Sequence, residues 1–543
     1  MILFIPFRHP ICSIKASINT ISKYVSRKPL NKKAFTFLFI LILIIGIIPR
    51  VYQFGSLPNG VNVDEASSGY DAFAMLHYGI DMNGYKNPVV LVSFGSGHAS
   101  LSTYLSMPFI ALLGLNQVSI RLVNVIFGIL SLLVFYLLVR KVEDERTALI
   151  AMFLLAINPW HIMISRWGLD CNLFPAIFLI ATCLLVYSDR HPLFFPLAMA
   201  TYGLSLYAYA TSYFFLPVFF LLTLWKFLKN NRIGVRNLLV GFSLLLVISL
   251  PTLLYLIINT FQMEPIQTSW ISIPRTLGPT RYLVVSSLFS GGNFFKEFIQ
   301  NAFWLVKVLL VQDDTLIMNA VPGYGTIYLF GAPFMLVGLW VVMKEQIVAK
   351  KYHPRLIFLT WMLAAIALGL VMLVSINRIN IIYLPIIYLM AKAIVFLLHR
   401  ARVLALASIA LFLVGFVCFN WAYFGEYIDL VNPAFNEGLH QAIDYATEKS
   451  DGLIFISRTI HVPYIHVLFS QKIDPHDFLE NVVYVDITAD TRDASAYGRY
   501  RFVNMDNITT YHGTYIIEYH DKETLILQNF SVKQFQRYYV LFS

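Results

Sequence analysis

The sequence is poor in charge. Only 13% of its 543 residues are Asp, Glu, Lys or Arg, whereas a soluble globular domain usually carries about a quarter. Hydrophobic residues instead make up 58%. This balance excludes a water-soluble enzyme of this length and a disordered chain, and it leaves a polytopic membrane protein with room for some extramembrane mass.

Cysteine is scarce as well, and the usual motifs of soluble enzymes are missing. The four cysteines are scattered, no pair has metal-ligand spacing, and the polar C-terminal region has none. We therefore expect neither disulfides nor a structural zinc site. No P-loop, dinucleotide-binding, HExxH or GxSxG motif stands in a suitable context. No cofactor is indicated by a ligand pattern, and a divalent cation stays open.

Acidic residues are absent from the first 33 residues, which are rich in basic ones. These are Arg8, Lys15, Lys23, Arg27, Lys28, Lys32 and Lys33. A basic segment before an apolar run favours the cytoplasmic side of the membrane. The net charge of +10 is therefore interpreted as an orientation signal and not as a footprint for nucleic acid.

Long apolar runs are what the sequence has in abundance. A bilayer core of roughly 30 Å requires about 17–25 apolar residues in a helix. We predict about eleven transmembrane helices, at 34–54, 119–140, 147–165, 172–188, 193–211, 212–228, 238–258, 326–343, 356–374, 381–398 and 404–423. With the N-terminus inside, the cytoplasmic loops carry most of the basic residues, as the positive-inside rule requires.

Two further apolar segments are predicted to be interfacial helices at the outer surface. Residues 101–115 are too short to cross the membrane comfortably. Residues 295–311 carry two lysines and a glutamate, which favour a helix lying in the interface. A twelfth span there would also move the basic loop 344–355 to the outside.

The polar regions define the predicted domains. A basic cytoplasmic segment, 1–33, precedes a transmembrane domain, 34–423, with two large outer loops at 55–118 and 259–325. The polar region 424–543 is predicted to be an extracytoplasmic α/β domain. Within it, apolar runs predict strands at 453–457, 464–470, 482–488, 500–505, 514–520 and 524–530, and an amphipathic helix at 436–450.

Two adjacent acids, Asp64 and Glu65, follow the first predicted span. Adjacent side chains on a helix point about 100° apart, so the two do not serve one atom together. One acid then faces a reacting centre, while the other orients a neighbour or binds a cation. The alternative is helix capping, because Asn62 to Glu65 resembles a capping box and acids suit the positive end of a helix dipole.

A second polar cluster lies at the turn between the third and fourth predicted spans. Its members are Asn158, His161, Arg166, Asp170 and Asn172. Ionisable residues at membrane depth are costly and usually mark function, so these side chains are candidates for the lining of a cavity. The alternative is an ordinary hydrated turn in which Arg166 pairs with Asp170.

Arg121 and Arg378 are cations on the outer side, against the positive-inside trend. An anionic ligand at the headgroup level, such as a lipid phosphate, explains them. Snorkelling to lipid headgroups is the alternative. Tyr207, Tyr209 and Tyr213 lie around a further outer turn, where they line a substrate site or belong to an aromatic belt.

An ordered set of segments points to a known family. The segments are VDEASSGYDA at 63–72, the stretch 101–142 with its Arg-Leu pair, NPWHIMISRWGLDCNL at 158–173 and INRINIIYLPIIYLMAKAI at 376–394. Together they resemble the GT-C superfamily of integral-membrane glycosyltransferases. The likeness is to family 39, the protein O-mannosyltransferases and the aminoarabinose transferases that modify lipid A. In one departure, GSGHASL at 95–101 stands where many relatives have a Lys-Pro-Pro-like stretch.

The resemblance implies a catalytic domain of GT-C type over 34–423 that uses a polyprenyl-phosphate-linked sugar donor on the outer face of the plasma membrane. It implies Asp64 as the general base, supported by Glu65, with Asp170 beside the donor sugar or a cation. Arg121, Arg166 and Arg378 form the expected donor-phosphate set. Candidates for lining the substrate site are Asn158, His161, Tyr207, Tyr209 and Tyr213.

The chemistry of sugar transfer from a lipid phosphate agrees with the roles that the resemblance implies. Direct displacement at the anomeric carbon, with inversion, needs a base on the acceptor side. The leaving group is already a phosphate anion, so it needs cations rather than an acid. The sugar and the acceptor, whether glycan, lipid or protein, are not determined by the sequence.

A polytopic transporter or a lipid or glycan flippase is the alternative from another class. Such a protein would show paired broken helices and charges at the bilayer midplane, often with an internal repeat. Here the acids lie in outer loops and no repeat is visible. A catalytically inactive relative that acts as a scaffold is a third interpretation, against which the retained Asp64 and Glu65 argue.

Overall fold

The computed structural model describes residues 31–95, 97–230, 233–289, 292–349, 354–486, 489, 492–505, 512–518 and 530–542. The predicted cytoplasmic segment 1–33 lies outside the described residues except for its last three, and Lys32 already begins the first helix. Helices dominate as far as Tyr423, and a mixed α/β region follows.

The helical part contains long helices joined by loops with short secondary structure. In chain order its helices are α1 (Lys32–Val51), α2 (Val63–Tyr78), α3 (Leu101–Leu113), α4 (Gln117–Val142), α5 (Glu145–Ala156), α6 (Pro159–Ile164), α7 (Phe174–Tyr187), α8 (Phe194–Ser205), α9 (Ser212–Asn230), α10 (Val235–Thr260), α11 (Arg281–Val285), α12 (Phe294–Val311), α13 (Gly331–Ala349), α14 (Leu356–Val371), α15 (Tyr383–Arg400) and α16 (Arg402–Tyr423). Two small antiparallel ladders pair β1 (Val90–Leu91) with β2 (His98–Ala99), and β3 (Ile266–Gln267) with β4 (Ser272–Ile273).

Each of the eleven segments predicted to span the membrane contains helix. Within the described residues, seven helical stretches are long and apolar enough to cross a membrane: Lys32–Val51, Gln117–Val142, Asp170–Tyr187, Ser212–Lys229, Val235–Thr260, Asn380–Arg400 and Arg402–Tyr423. The chain is therefore a helical, multi-pass membrane protein. The count of eleven spans stays a prediction, as does the side of the membrane on which each loop lies.

The predicted span 147–165 is interrupted by a local capping signal. Asn158 accepts the backbone N–H of His161 on its Oδ1 at 3.0 Å and so begins the new helix α6. Pro159, at the first position of α6, has no N–H with which to continue α5. The break directs the chain into the polar turn that follows.

Helices α13 and α15 approach each other closely at Gly338. A Cβ atom there would lie 1.8 Å from the carbonyl oxygen of Leu389, so only glycine fits this contact. Small residues allow such close packing in membranes, where helix association depends on van der Waals contact.

The two segments predicted to be interfacial are helical. They are α3 and α12, and Asn293 caps α12 by accepting the backbone N–H of Lys296 at 3.1 Å. Phe295, Ile299 and Phe303 leave α12 with an exposed apolar face, as an interfacial helix requires. Their depth in the membrane stays a prediction.

The C-terminal region is an α/β unit. Its elements are α17 (Tyr427–Val431), α18 (Leu439–Lys449), β5 (Ile454–Ser457), α19 (Pro463–Gln471), α20 (Pro475–Asn481), β6 (Val483–Tyr484), β7 (Ala494–Tyr497), β8 (Tyr500–Val503), β9 (Thr514–Glu518), β10 (Ser531–Phe535) and β11 (Tyr538–Phe542). They form a sheet in the order β10-β11-β9-β5-β8-β7-β6. The central strand β5 runs parallel to β8 and β9, and the remaining pairs are antiparallel.

The predictions for this region are partly wrong. Strands β5, β8 and β9 and helix α18 form where expected, but 464–470 is helix α19 and not a strand. A short apolar run does not distinguish a buried strand from a buried helix, and Pro463 begins the helix. The predicted strand at 482–488 is reduced to β6, with 487 and 488 outside the described residues, and 524–530 also lies outside them except for its last residue.

Helix α2 packs against the C-terminal unit. Ala66 and Tyr70 of α2 share one hydrophobic core with Leu439, Ile465 and Ile516. The Tyr70 hydroxyl also donates a hydrogen bond to the Ile473 carbonyl at 2.8 Å. The segment 55–118 and the C-terminal unit therefore form one packed body beside the helical part.

Candidate active site

A cavity of about 190 Å³ gathers polar side chains from distant parts of the chain. The predicted site residues that line it are Asp64, Asp170, Tyr209, Tyr213 and Arg378. Further polar lining residues, which the sequence analysis did not assign to a site, include Ser93, His98, Tyr255, Arg281, Tyr282 and Asn377. The other predicted residues, Glu65, Arg121, Asn158, His161, Arg166 and Tyr207, lie elsewhere.

The first turn of α2 separates the two adjacent acids. Asn62 caps the helix by accepting the Asp64 backbone N–H at 3.0 Å, and Glu65 Oε2 accepts the Asn62 N–H at 3.2 Å. This is the capping box that the sequence suggested for Glu65. Because the two side chains leave the helix in different directions, Asp64 faces the cavity while Glu65 is fully buried.

Glu65 and Arg121 form a buried, bidentate ion pair. Arg121 Nε and Nη2 each lie 2.7 Å from a Glu65 carboxylate oxygen. Arg121 Nη1 donates to the Pro58 carbonyl at 2.6 Å, and Nη2 also donates to the Gly60 carbonyl at 2.8 Å. The expectation that Arg121 binds the donor phosphate does not fit this arrangement, because all three guanidinium nitrogens already donate to the protein.

Arg166 is also occupied elsewhere. Its Nη1 donates to the carbonyls of Pro49 and Tyr52, both at 2.8 Å, where α1 ends. Its Nη2 donates to the carbonyls of Gln53 at 3.2 Å and Leu57 at 3.0 Å. Arg166 therefore satisfies the open end of α1, lies outside the cavity lining, and forms no ion pair with Asp170 within the described residues.

Three further candidates for the substrate lining have other contacts. His161 Nδ1 lies 2.6 Å from Arg50 Nη2, Asn158 caps α6, and the Tyr207 hydroxyl donates to the Ile248 carbonyl at 2.6 Å. Their position within a few residues of the membrane surface did not distinguish them from the residues that line the cavity.

Asp64 is the carboxylate of the cavity that has no fixed partner. Within the described residues its side chain accepts no hydrogen bond and forms no ion pair. Burial, and then the neighbouring Asp170 charge, raises the pKa of Asp64, while His98, Arg281 and His461 oppose this rise. A carboxylate with a raised pKa and free oxygens is suited to accept a proton.

The Asp170 carboxylate, unlike that of Asp64, is fixed by hydrogen bonds. Its Oδ1 accepts the Cys171 backbone N–H at 2.7 Å and its Oδ2 accepts the Ala99 N–H at 3.3 Å. His98 Nε2 lies 3.7 Å from Asp170 Oδ2. The ladder of β1 with β2 thus brings His98 into the site. His98 belongs to the segment GSGHASL, which differs from the pattern of the family, and no role was predicted for it.

Arg378 and Arg281 supply positive charge to the cavity wall. The Arg378 side chain donates only one described hydrogen bond, from Nη1 to the Leu373 carbonyl at 3.1 Å, and Arg281 begins α11 with an exposed side chain. Neither forms an ion pair within the described part of the chain. Burial is the main reason that the pKa of Arg378 lies below its ordinary value, and the charge of Arg281 acts in the same direction. Two cations without an ion-pair partner in the described residues are suited to bind an anion at this cavity.

Nothing in the composition of 259–325 distinguishes Arg281 from the other cation nearby, Arg275, so no sequence signal identified Arg281 as a site residue. For a metal ion, the described residues contain no group of three or more His, Cys, Asp and Glu side chains placed to hold one.

The comparisons with known proteins agree with this architecture. Residues 98–255 match the family described as dolichyl-phosphate-mannose-protein mannosyltransferase. The structure is similar to that of ArnT from Cupriavidus metallidurans bound to undecaprenyl phosphate, with a TM-score of 0.55 and 13% identity over 93% of this chain and 98% of that chain. The apo form of the same protein gives a TM-score of 0.53 at 12% identity, over 94% and 98% of the two chains.

A further similar structure is larger. Archaeal oligosaccharyltransferase AglB from Archaeoglobus fulgidus, in complex with an inhibitory peptide and a dolichol-phosphate, has a TM-score of 0.49 and 14% identity. The match covers 81% of this chain but 64% of AglB, so the chain spans less than two thirds of that protein. A comparison with curated proteins finds no match. The resemblance drawn from the sequence is thus confirmed by a family match over residues 98–255 and by a fold shared with ArnT.

Proposed function

We propose that this protein transfers a sugar from a polyprenyl-phosphate-linked donor to an acceptor hydroxyl at the outer face of the membrane. One observation carries the proposal: the cavity combines an unpaired carboxylate, Asp64, with two unneutralised cations, Arg281 and Arg378. This is the charge arrangement that displacement of a phosphate by a hydroxyl requires. The family match and the ArnT-like fold support the same class of reaction.

Asp64 acts as the general base. It accepts the proton of the acceptor hydroxyl while that oxygen attacks the anomeric carbon from the side opposite the phosphate, which inverts the configuration. The raised pKa of Asp64 brings its proton affinity closer to a neutral working pH than that of an ordinary aspartate. No other described group competes for its lone pairs in the absence of substrate.

Arg281 and Arg378 bind the phosphate of the donor and stabilise the charge that it gains as the bond to the sugar breaks. The leaving group is a weakly basic anion, so positive charge serves it better than a general acid. The undecaprenyl phosphate bound to ArnT carries the same head group as this proposed leaving group. The lipid tail would remain in the bilayer.

Asp170, His98, Tyr209 and Tyr213 surround the sugar. Asp170 is fixed by two backbone N–H groups, so its carboxylate can accept hydrogen bonds from sugar hydroxyls at a defined position. If a divalent cation takes part, Asp64 and Asp170 are the carboxylates of the cavity that would hold it. Glu65 supports Asp64 indirectly, since it fixes the turn of α2 from which Asp64 projects.

Purified protein in proteoliposomes tests this proposal with a panel of radiolabelled undecaprenyl-phosphate sugars and a washed envelope fraction as acceptor. We expect one donor to be consumed, with release of undecaprenyl phosphate, and the Asp64→Asn variant to bind that donor without consuming it. A transporter or flippase would instead move the intact donor across the bilayer. Movement without bond cleavage by the unaltered protein would therefore overturn the proposal.

A further inference from the structure

Helix α19 of the C-terminal unit lies beside α2. Asn436 Nδ2 donates to the Val61 carbonyl at 3.3 Å and lies 3.3 Å from His466 Nε2, so the residues just before α2 meet the first turn of α19. Further along α2, the Tyr70 hydroxyl donates to the carbonyl of Ile473, which lies just beyond the end of α19. The two helices therefore run side by side in the same direction, and their N-termini lie at the same end.

This alignment brings a loop of the C-terminal unit to Asp64. Asp64 occupies the first turn of α2, and His461 lies two residues before Pro463, which begins α19. The same loop follows β5, whose parallel pairing with β8 and β9 makes its carboxyl end the usual place for ligand contacts in α/β sheets. Val462 turns the chain there with a φ of 50°.

His461 differs from the other histidines of this loop region. It is exposed, and within the described residues it forms no hydrogen bond or ion pair. His440 and His466 are instead engaged with each other, with 3.1 Å between Nε2 and Nδ1, and burial lowers the pKa of both. His461 does not line the cavity, but the alignment of α19 with α2 places its loop at the end of α2 that carries Asp64, which we call the rim of the cavity.

The charges on this rim agree with its geometry. Protonated His461 stabilises the carboxylates of both Asp64 and Asp493, opposing the effect of burial on the pKa of each. Asp64 is also faced by His98, Asp170 and Arg281, which belong to the cavity and not to the C-terminal unit. Of the charged groups that act on Asp64, His461 is therefore the one that belongs to the C-terminal unit.

We propose that the C-terminal unit completes the acceptor side of the site, and that His461 hydrogen-bonds the hydroxyl-bearing group of the acceptor beside Asp64. The imidazole can donate to, or accept from, a hydroxyl, which suits an acceptor rich in hydroxyl groups. This inference rests on the proposed function, since it assigns His461 to the substrate that Asp64 deprotonates.

The first test measures placement and needs no sugar. A hydrophobic carbodiimide modifies the protonated carboxyl of Asp64, and mass spectrometry follows that modification as a function of pH. The quantity compared is the pH at which half of Asp64 is modified, called the Asp64 midpoint. His461→Gln should raise this midpoint by roughly half a pH unit, because it removes a positive charge that stabilises the Asp64 carboxylate. His476→Gln is the control: His476 is an exposed histidine of the same unit, 3.0 Å from Asp474, and its substitution should leave the midpoint unchanged.

The second test measures the role. With the donor identified from the panel and the washed envelope fraction as acceptor, His461→Ala should raise the half-saturating amount of acceptor about three- to tenfold, as the loss of one hydrogen bond predicts. The KM for the donor should not change, and His461→Gln should restore part of the acceptor affinity. A merely structural histidine would alter both substrates together or neither.

The outcomes separate this inference from the function on which it rests. An unchanged Asp64 midpoint in His461→Gln, or an unchanged acceptor dependence in His461→Ala, overturns the role of His461. Failure of the unaltered protein to consume any donor overturns the proposed function, and the carbodiimide experiment still decides whether His461 lies beside Asp64.

Discussion

At the scale of single residues, two adjacent acids have different tasks. Glu65 is fully buried and bound by Arg121, whereas Asp64 faces the cavity with its oxygens unengaged. The difference arises from the helix, which turns neighbouring side chains about 100° apart. The proposed role of Asp64 as a base therefore depends on Glu65 being engaged by Arg121.

Asp64→Asn should lower the rate of transfer by about 10²–10⁴-fold, the usual contribution of a positioned base. The amide preserves the size of the side chain but does not accept the proton, so donor binding should survive. Turnover and donor binding are measured on the same purified variant, with Asp451→Asn at an exposed position as the control. Normal turnover in Asp64→Asn would leave Asp170 as the remaining carboxylate of the cavity.

The rate of transfer should fall at acidic pH as Asp64 becomes protonated. Burial and Asp170 raise the pKa of Asp64, so the loss of rate should occur above the value of about 3.9 that is ordinary for aspartate. Asp170→Asn removes one of the charges that raise this pKa, and we expect the acidic limb of the pH profile to move to lower pH. An acidic limb that stays in place in this variant would argue against Asp64 as the titrating group.

Arg281→Ala and Arg378→Ala should each weaken the binding of undecaprenyl phosphate by about 10- to 100-fold. A hydrogen bond to a charged group contributes roughly 1.5–3 kcal/mol, and 1.4 kcal/mol corresponds to a factor of ten. Lysine at either position should restore binding only in part, because the fork of the guanidinium is lost. Equilibrium binding of labelled undecaprenyl phosphate is the measurement, and Arg275→Ala in the same loop is the control.

At the scale of elements, the start of α2 is held by a buried charge pair. Arg121 of α4 binds Glu65 and the carbonyls of Pro58 and Gly60, so it joins α4 to the turn that precedes α2. Gly168 adds a backbone N–H to Glu65 Oε1 at 2.6 Å. The element that carries Asp64 is thereby fixed from two sides.

Arg121→Met should destabilise the protein strongly, because it leaves Glu65 buried without its partner. Breaking a buried ion pair on one side costs roughly 3–5 kcal/mol. Thermal unfolding in detergent measures this loss, and Arg140→Met is the matched control, since the Arg140–Glu145 pair is 3.6 Å long and exposed. Donor affinity per folded molecule should be unchanged; a selective loss of donor binding in a stable Arg121→Met protein would restore Arg121 to the phosphate site.

At the scale of the whole molecule, the site lies where the helical part meets the packed body of 55–118 and the C-terminal unit. Asp64 belongs to that body, while Tyr209, Tyr213 and Arg378 come from the ends of apolar helices or the turns beside them. This division suits a reaction in which the donor arrives from the lipid and the acceptor from the aqueous side.

The proposed orientation places the C-terminal unit outside and the basic segment 344–355, which begins at the end of α13, inside. In a background with Cys12→Ser and Cys418→Ser, the Asp451→Cys variant should react with a membrane-impermeant maleimide in intact cells, and the Lys344→Cys variant should react only after lysis. Both positions are exposed, so access across the membrane and not burial decides the result. The reverse labelling pattern would move the site to the cytoplasmic side.

The sequence alone determined the features that depend on local composition. Apolar length located the helical segments, since a bilayer selects for hydrophobic runs wherever they occur, while the number that cross the membrane stays a prediction. The spacing of Asn62 and Glu65 already indicated the start of α2, and the position of Asp64 after the first apolar run made it a candidate base. These properties need only the neighbours of a residue in the chain.

Only the tertiary structure decided which charged groups are free. The sequence ranked Arg121 and Arg166 with Arg378, but the first is bound to Glu65, 56 residues away, and the second to the end of α1. Arg281, His98 and His461 came to Asp64 from segments without any motif. The reason is physical: a charge is available for substrate only when no partner in space has neutralised it, and such partners are chosen by packing between distant segments and not by sequence spacing.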